Sequence, residues 1–207
     1  MATPIPQPYF HANPAYKQTT PYIPPAYFNP NDIQSLNDSF SQDGIKRLSK
    51  KVNPISQAAT ITKPAEAFKA KAYRDSAGHL TVGYGQRTDN PRATTTEQAA
   101  SEWMFDRLGK NHQKLLLNSP AYREANPNQQ GAMLDFSYNV GTNWEKYTDL
   151  SAYSKDPKGA PYIIQLLPAF RKDDAGNQLE GLERRRADEV RLGTSKDTEV
   201  YFPVHLR

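Results

Sequence analysis

Proline density in the first thirty residues constrains this chain more than any other feature of its sequence. Eight of the 17 prolines lie there, and Lys17 is the one charged residue of the segment. Each proline fixes its own φ angle and removes a backbone hydrogen-bond donor, so this segment cannot form a helix or a central strand. It also carries six aromatic residues: Tyr9, Phe10, Tyr16, Tyr22, Tyr27 and Phe28. We expect an extended arm over residues 1–53, and the aromatic side chains favour an anchor for another protein surface over a disordered linker.

The composition of the whole chain limits the kinds of site it can carry. The 207 residues suggest one globular domain, which we place over residues 54–207, behind the arm. Without cysteine, the chain has no disulfide, zinc–thiolate site or thiol nucleophile, and its four histidines lack metal-ligand spacing. We therefore expect neither a metal site nor a cofactor. The net charge of +4 favours an anionic partner such as nucleic acid, a lipid surface or a bacterial cell wall, without choosing among them.

The hydrophobicity pattern does not predict membrane insertion. The first thirty residues lack the basic start and continuous apolar core of a signal peptide. No run of about eighteen apolar residues, the length that a membrane-spanning helix needs, occurs in the chain. We therefore expect a protein that does not carry itself through a membrane.

A β-hairpin is predicted over residues 71–85. β-Branched and aromatic residues, which are typical of strands, stand on both sides of a turn at Ser76, Ala77 and Gly78. After Asn90 and Pro91 the pattern becomes helical. The sequence thus predicts a small β lobe that precedes a helical region.

Helices are predicted from capping residues and apolar periodicity. Thr94 and Glu97 have the spacing of a capping box, which predicts a helix that runs to about Leu117. Asn126 and the following proline predict a second helix that ends at Gly141. Three shorter helices are predicted over Asp43–Lys51, before a break at Pro54, over Tyr162–Leu167, and over Leu182–Leu192, closed by Gly193. The expected fold class is α+β, with a small β-hairpin lobe, a larger helical lobe and a cleft between them.

Two carboxyl groups and a hydroxyl group lie around the predicted hairpin. Glu66 precedes it, Asp75 stands at its turn, and Thr81 lies on the returning strand. Glycoside hydrolysis needs one protonated carboxyl group for the leaving oxygen and one ionised carboxylate to orient water or stabilise positive charge. Each residue alone is also a common helix, turn or strand residue, but the joint spacing favours a catalytic site.

At this spacing the sequence resembles the bacteriophage-type lysozymes. The resemblance covers residues 60 to about 195 and rests on segments in the same order: Glu66–Asp75 (EAFKAKAYRD), Leu80–Gly85 (LTVGYG), Thr96–Ala99 (TEQA), Gln129–Gly141 (QQGAMLDFSYNVG) and Leu179–Glu189 (LEGLERRRADE). Such a resemblance implies a lysozyme-like fold and a muramidase that cleaves the β-1,4 bond between N-acetylmuramic acid and N-acetylglucosamine in peptidoglycan.

The resemblance also implies roles for individual residues. Glu66 would be the general acid, Asp75 would position the attacking water, and Thr81 would help to hold that water, with inversion at the anomeric carbon. Inversion requires the two carboxyl groups to stand roughly 6.5 to 9.5 Å apart. The residues that would contact substrate are Gly83, Gly85, Tyr138, Asn139, Arg184 and Arg185. Either Arg184 or Arg185 would pair with Glu66.

Three positions depart from the family pattern. Pro64 interrupts the usual helix before the glutamate, Ala67 stands where a glycine commonly follows it, and Gln86 replaces the histidine that commonly closes the hairpin. The first two could shift the acid. The third is expected to affect an interaction that supports the fold rather than the chemistry.

Several other functions compete with a muramidase. A lytic transglycosylase cleaves the same bond with one essential carboxyl group, and Asp75 and Thr81 argue against it. A structural virion protein could use a lysozyme-like domain as a binding module, and the intact set of three residues argues against that loss of chemistry. Nucleic-acid binding would rest on net charge alone, without a basic–aromatic motif, so no nucleic-acid partner is expected.

The arm bears on biological context. Its extended, aromatic-rich and nearly uncharged character fits docking along tail or capsid proteins through residues 1–50. The expected protein is therefore a virion-associated lysozyme that acts on the cell wall in the host periplasm. The alternative is an endolysin held in the host cytoplasm until a holin releases it.

Overall fold

A computed structural model describes residues 53–75, 78–172 and 176–195. The predicted arm up to residue 52, the predicted helix Asp43–Lys51 and the turn residues Ser76 and Ala77 lie outside the described residues. The α-helices are α1 Pro54–Glu66, α2 Glu97–Asn118, α3 Pro120–Glu124, α4 Pro127–Val140, α5 Thr148–Lys155, α6 Ala160–Leu166 and α7 Glu180–Thr194. Two 3₁₀ helices span Thr142–Lys146 and Leu167–Ala169.

The β lobe is an antiparallel sheet of three strands in the order β1-β2-β3. The strands are β1 Lys69–Arg74, β2 Leu80–Gly83 and β3 Gln86–Arg87. Tyr73 pairs with Thr81, and Arg74 pairs with Leu80. The predicted hairpin is therefore confirmed, and β3 adds a short strand beyond it. Together with the helices, it makes the α+β fold that the sequence predicted, with a small β lobe and a larger helical lobe.

Helix α4 is the centre of the helical lobe and packs most extensively against α1 and α7. Its Met133, Leu134 and Phe136 are fully buried, and Ala58 and Ala59 of α1 lie in the same core. The predicted cap of α4 is confirmed, because the Asn126 side chain accepts from the Gln129 backbone N–H and the Gln129 side chain accepts from that of Asn126. Helices α1 and α7 thus pack around one well-capped helix.

Three local predictions were wrong. Thr96, rather than Thr94, caps α2 by accepting from the Ala99 backbone N–H. Helix α1 begins at Pro54, since a proline is tolerated at the first helical position, and it continues through Pro64 to Glu66. Gly193 does not close α7 but lies inside it, where an added Cβ would stand 2.5 Å from Cδ1 of Ile164. Close helix packing, not a helix end, accounts for that glycine.

Candidate active site

Glu66 is the last residue of α1, and its side chain meets Arg185 of α7. Oε1 of Glu66 accepts a hydrogen bond from Nη1 of Arg185 at 2.7 Å. The Glu66 side chain is 21% exposed and that of Arg185 is 4% exposed, so the carboxyl group reaches solvent while its partner is buried. The Glu66 carboxyl group is therefore accessible to a polymeric substrate, while the hydrogen bond from the buried Arg185 fixes its orientation.

The backbone turns sharply immediately after Glu66. Ala67 has φ 49° and ψ 131°, a conformation that favours glycine and that strains a residue with a side chain. This geometry explains in physical terms why a glycine at this position would be favoured. Ala67 adopts it nevertheless, so the substitution leaves Glu66 at the end of α1, beside Arg185.

Arg185 is fixed by a second carboxylate, that of Asp135 on α4. Nε and Nη2 of Arg185 donate to the two carboxylate oxygens of Asp135, each at 2.9 Å. Thr62 of α1 donates from Oγ1 to Oδ1 of Asp135 at 2.6 Å. Although burial acts in the opposite direction, the Arg185 guanidinium holds the pKa of Asp135 below its usual value. Asp135 is therefore an ionised, fully buried partner of Arg185.

The structure decides which arginine pairs with Glu66. Arg185 does so, whereas Arg184 points outward and pairs with Glu180, one turn earlier on α7, at 2.6 Å. The Arg184 side chain is 58% exposed. An exposed pair of this kind contributes little to stability. The substrate contact predicted for Arg184 stays a prediction.

Asp75 and Thr81 lie on the hairpin formed by β1 and β2. Thr81, on β2, pairs with Tyr73 of β1, and Asp75 directly follows Arg74, the last residue of β1. Thr81 is buried, and its hydroxyl lies 3.4 Å from the carbonyl oxygen of Tyr73, at the outer limit of a hydrogen bond. The hairpin thus carries a carboxyl group at its turn and a hydroxyl group on its returning strand.

Asp75 is held in place by the turn that follows it. Oδ1 of Asp75 accepts from the backbone N–H of His79 at 2.8 Å, and its own N–H donates to the His79 carbonyl. Nδ1 of His79 lies 3.6 Å from Oδ1 of Asp75 but 3.0 Å from Nη2 of Arg87. Backbone contacts with His79 therefore hold this carboxyl group in place.

Gly83 and Gly85 have different surroundings. At Gly83, with φ +67°, an added Cβ would stand 2.9 Å from Cβ of Ala100, which explains the glycine by packing against α2. At Gly85, with φ +76°, the added Cβ would stand 2.9 Å from Oε2 of Glu66. Gly85 thus leaves room for the carboxyl group, and substrate contact at either glycine stays a prediction.

Tyr138 and Asn139, at the end of α4, are held by the domain itself. The buried Tyr138 donates from its hydroxyl group to the carbonyl oxygen of Tyr84 at 2.7 Å, which joins α4 to the β lobe. Burial raises the pKa of Tyr138, so its hydroxyl group stays a donor. Oδ1 of Asn139 accepts from Nη2 of Arg186. Their predicted role in substrate binding stays a prediction beside these structural contacts.

Two groups of functional interest were missed by the sequence prediction. Asp135 was overlooked although it is a charged residue on the apolar side of α4, between Met133 and Phe136, and that position indicates a buried charge with a partner. The second group joins Lys63, Tyr84 and Glu97. Oε1 of Glu97 accepts from the Tyr84 hydroxyl at 2.8 Å and lies 3.5 Å from Nζ of Lys63. Burial and this hydrogen bond raise the pKa of Tyr84.

Neither a metal centre nor a membrane span is found in the part of the chain that the structure describes. Over residues 53–75, 78–172 and 176–195, no group of three or more His, Cys, Asp or Glu side chains could hold a metal ion. Over the same residues, no helix is long and apolar enough to cross a membrane.

Comparison with known proteins identifies a family and a fold. Residues 63–189 match the family model described as phage lysozyme. The endolysin Lyz of phage P1 is similar in structure, with a TM-score of 0.56 and 19% identity over 78% of this chain and 92% of that one. The muramidase domain of SpmX from Asticaccaulis excentricus has a TM-score of 0.53 and 18% identity, over 70% of this chain and 99% of that one. The endolysin of Escherichia coli O157:H7 phage FAHEc1 has a TM-score of 0.50 and 21% identity, over 74% of this chain and 96% of that one. Among curated proteins, none matches significantly.

Proposed function

Since the chain belongs to the phage lysozyme family, we propose that it is a peptidoglycan hydrolase that cleaves the β-1,4 bond between N-acetylmuramic acid and N-acetylglucosamine. The observation that carries this proposal is the arrangement of Glu66, a carboxyl group that reaches solvent while the buried Arg185 holds it from behind. The hairpin supplies the second carboxyl group, Asp75, at its turn, and Thr81 on its returning strand. These are the chemical groups that hydrolysis of a glycosidic bond requires.

In the proposed reaction, Glu66 gives its proton to the glycosidic oxygen as the bond to the anomeric carbon breaks. A water molecule attacks the opposite face of that carbon, and Asp75 accepts the proton that the water loses. The Thr81 hydroxyl helps to hold the water. The product has a new hydroxyl group at an inverted anomeric carbon and a free leaving hydroxyl group, so atoms and charge balance.

Digestion of purified peptidoglycan tests the reaction type. The wild-type protein, Asp75→Asn and Glu66→Gln are incubated with walls, and the released muropeptides are analysed by mass. We expect hydrated reducing-end products from the wild type and none from the two variants. Anhydro products would indicate a lytic transglycosylase, and the absence of products from the wild type would favour a structural virion protein.

Glu66→Gln also separates catalysis from stability. Arg185 retains its two bonds to Asp135 when the Glu66 carboxyl group is replaced by an amide, so the free energy of unfolding should stay nearly constant or rise. Glu102→Gln, a change of the same size on α2, is the matched control and should leave lysis unchanged. Wall lysis by Glu66→Gln at a near-normal rate would contradict the assignment of the acid.

The N-terminal arm supports a proposal about where the enzyme works. Its prolines and six aromatic residues suit an extended segment that docks on a tail or capsid protein. On this proposal the enzyme belongs to the virion and opens the wall in the host periplasm during infection. Deletion of residues 1–50 should preserve lysis of purified walls and remove the protein from assembled particles. Retention in particles would favour docking through the folded domain, and its absence from wild-type particles would favour a holin-released endolysin.

A further inference from the structure

The contact between Glu66 and Arg185 sets a problem for acid catalysis. A general acid must still hold its proton when the substrate binds, but a guanidinium group within hydrogen-bond distance favours the ionised form of a carboxyl group. Nη1 of Arg185 lies 2.7 Å from Oε1 of Glu66. An unbalanced arginine at this distance would take the proton away from the proposed acid, so another group has to offset its charge.

Asp135 is placed to offset that charge. It engages Nε and Nη2 of Arg185 in two parallel hydrogen bonds, which leaves the Nη1 side of the guanidinium for Glu66. Such a pair allows one orientation of the planar group, and Thr62 holds the carboxylate from the other side. Because Asp135 and Arg185 are both buried, water screens their interaction little.

We propose that Asp135 is a positioning residue for the reaction: it orients Arg185 toward Glu66 and balances the arginine's charge, so that Glu66 retains the proton it donates. This inference rests on the proposed role of Glu66 as the general acid. Glu66 then faces an ion pair rather than a lone cation, and keeps a directional hydrogen bond without the full electrostatic pull. Asp135 itself acts through Arg185 and is not placed in contact with substrate.

Other charged and titratable groups around Glu66 do not offer the same balance. From α7, Oε1 of Glu189 lies 4.0 Å from Nε of Arg185, on the side away from the Nη1 contact, and Oε2 of Glu189 is taken by Arg186. From α4, Tyr138 contributes a neutral hydroxyl group that donates to Tyr84. From α2, Glu97 is paired with Lys63 of α1. Asp135 is thus the carboxylate in direct hydrogen-bonded contact with the arginine that holds Glu66.

The titration of Glu66 in the full-length protein tests this inference without turnover. Glutamate is labelled with ¹³C at the side-chain carboxyl carbon, and the Glu66 signal is assigned by its loss in Glu66→Gln. In Asp135→Asn we expect the midpoint of the Glu66 titration to fall by about one pH unit, a ten-fold loss of proton affinity. The alkaline limb of the wall-lysis profile should move to lower pH in the same direction. A purely structural role for Asp135 would lower activity at all pH values without moving either midpoint.

Two further variants keep the test decisive. Asp106→Asn removes a carboxylate that pairs with Lys110 on α2, away from the site, and should change neither the titration nor lysis. Glu189→Gln should move the Glu66 midpoint by much less than one pH unit from the wild-type value, and this measurement remains available if Asp135→Asn does not fold. A shift of about one pH unit or more in Glu189→Gln, or an unshifted Glu66 in folded Asp135→Asn, would overturn the inference.

The two proposals can fail separately. If the wild type releases no muropeptides, the proposed function fails whatever the titration shows. If the wild type hydrolyses walls and Glu66→Gln does not, but the Glu66 titration is indifferent to Asp135→Asn, the acid assignment stands and the positioning role of Asp135 is wrong.

Discussion

Gly85 lies so close to Glu66 that a Cβ atom on Gly85 would stand 2.9 Å from Oε2 of the carboxyl group. Gly85 also has φ +76°, a left-handed conformation that costs a residue with a side chain about 1–2 kcal/mol. Glycine is therefore favoured at this position for two separate reasons: the left-handed backbone conformation, and the space that the Glu66 carboxyl group occupies. A substitution there should affect stability and activity by different amounts.

Gly85→Ala should lower wall lysis about 100-fold, because the new methyl group displaces the Glu66 carboxyl group from its position beside Arg185. The matched control is Gly176→Ala, at φ +86°, where the added Cβ would stand within 4 Å of no described residue other than its chain neighbours. Both variants should lose about 1–2 kcal/mol of unfolding free energy in urea titrations. Equal lysis by the two variants would mean that the contact with Glu66 has no effect on catalysis.

Thr81→Val should remove the hydroxyl group of Thr81 while the shape of the side chain is kept. Valine keeps the β-branched form that suits β2, so the Tm should change little, but lysis should fall about 100-fold because the hydroxyl group no longer holds the attacking water. Thr81→Ser retains the hydroxyl group and should stay within about ten-fold of the wild type. Rates of wall lysis and thermal melts measure both, and a fully active Thr81→Val would exclude a role for the hydroxyl group.

The features that were predicted from the sequence are local ones. The cap of α4 depends on Asn126 and Gln129, three residues apart, and the hairpin depends on a short turn between two strands. Such contacts are determined by neighbouring residue types, so residue patterns reveal them. The positions of Glu66, Asp75 and Thr81 around the hairpin follow from the same local structure.

The features that were missed depend on contacts between distant residues. Arg185 is 119 residues from Glu66 and 50 from Asp135 in the sequence, so spacing could not distinguish it from Arg184. Only the rotation of α7 against α4 directs one of two adjacent arginines inward. Gly193 is a similar case, because the side chain of Ile164 on another helix leaves no room for a Cβ atom at that position.

Arg185→Met should be strongly destabilising, whereas Arg184→Met should not. Removal of Arg185 leaves the buried Asp135 without its charge partner, and loss of one member of a buried ion pair costs roughly 3–5 kcal/mol. Arg184 is exposed and pairs with Glu180 alone among the described side chains, so its loss should change the unfolding free energy by less than about 0.5 kcal/mol. Urea unfolding at one pH compares the two, and similar values would contradict the inward placement of Arg185.

Glu189→Gln should change how stability depends on pH. Burial raises the pKa of Glu189 well above its ordinary value of 4.5, and its Oε1 accepts no hydrogen bond from a described residue. The folded protein therefore keeps a proton on Glu189 that the unfolded chain releases above about pH 4.5, so this group's stabilising contribution is complete below that pH and declines as the pH rises.

Glutamine resembles the protonated form, since its oxygen can accept from Arg186 and its amide group can donate toward Asp135. The Tm of Glu189→Gln relative to the wild type should thus increase between pH 5 and pH 8, by about 2–4 °C for each kcal/mol gained. Glu183→Gln, an exposed change on the same helix, should show no such trend, and a parallel course of wild type and Glu189→Gln would mean that Glu189 is already ionised in the folded protein at pH 5.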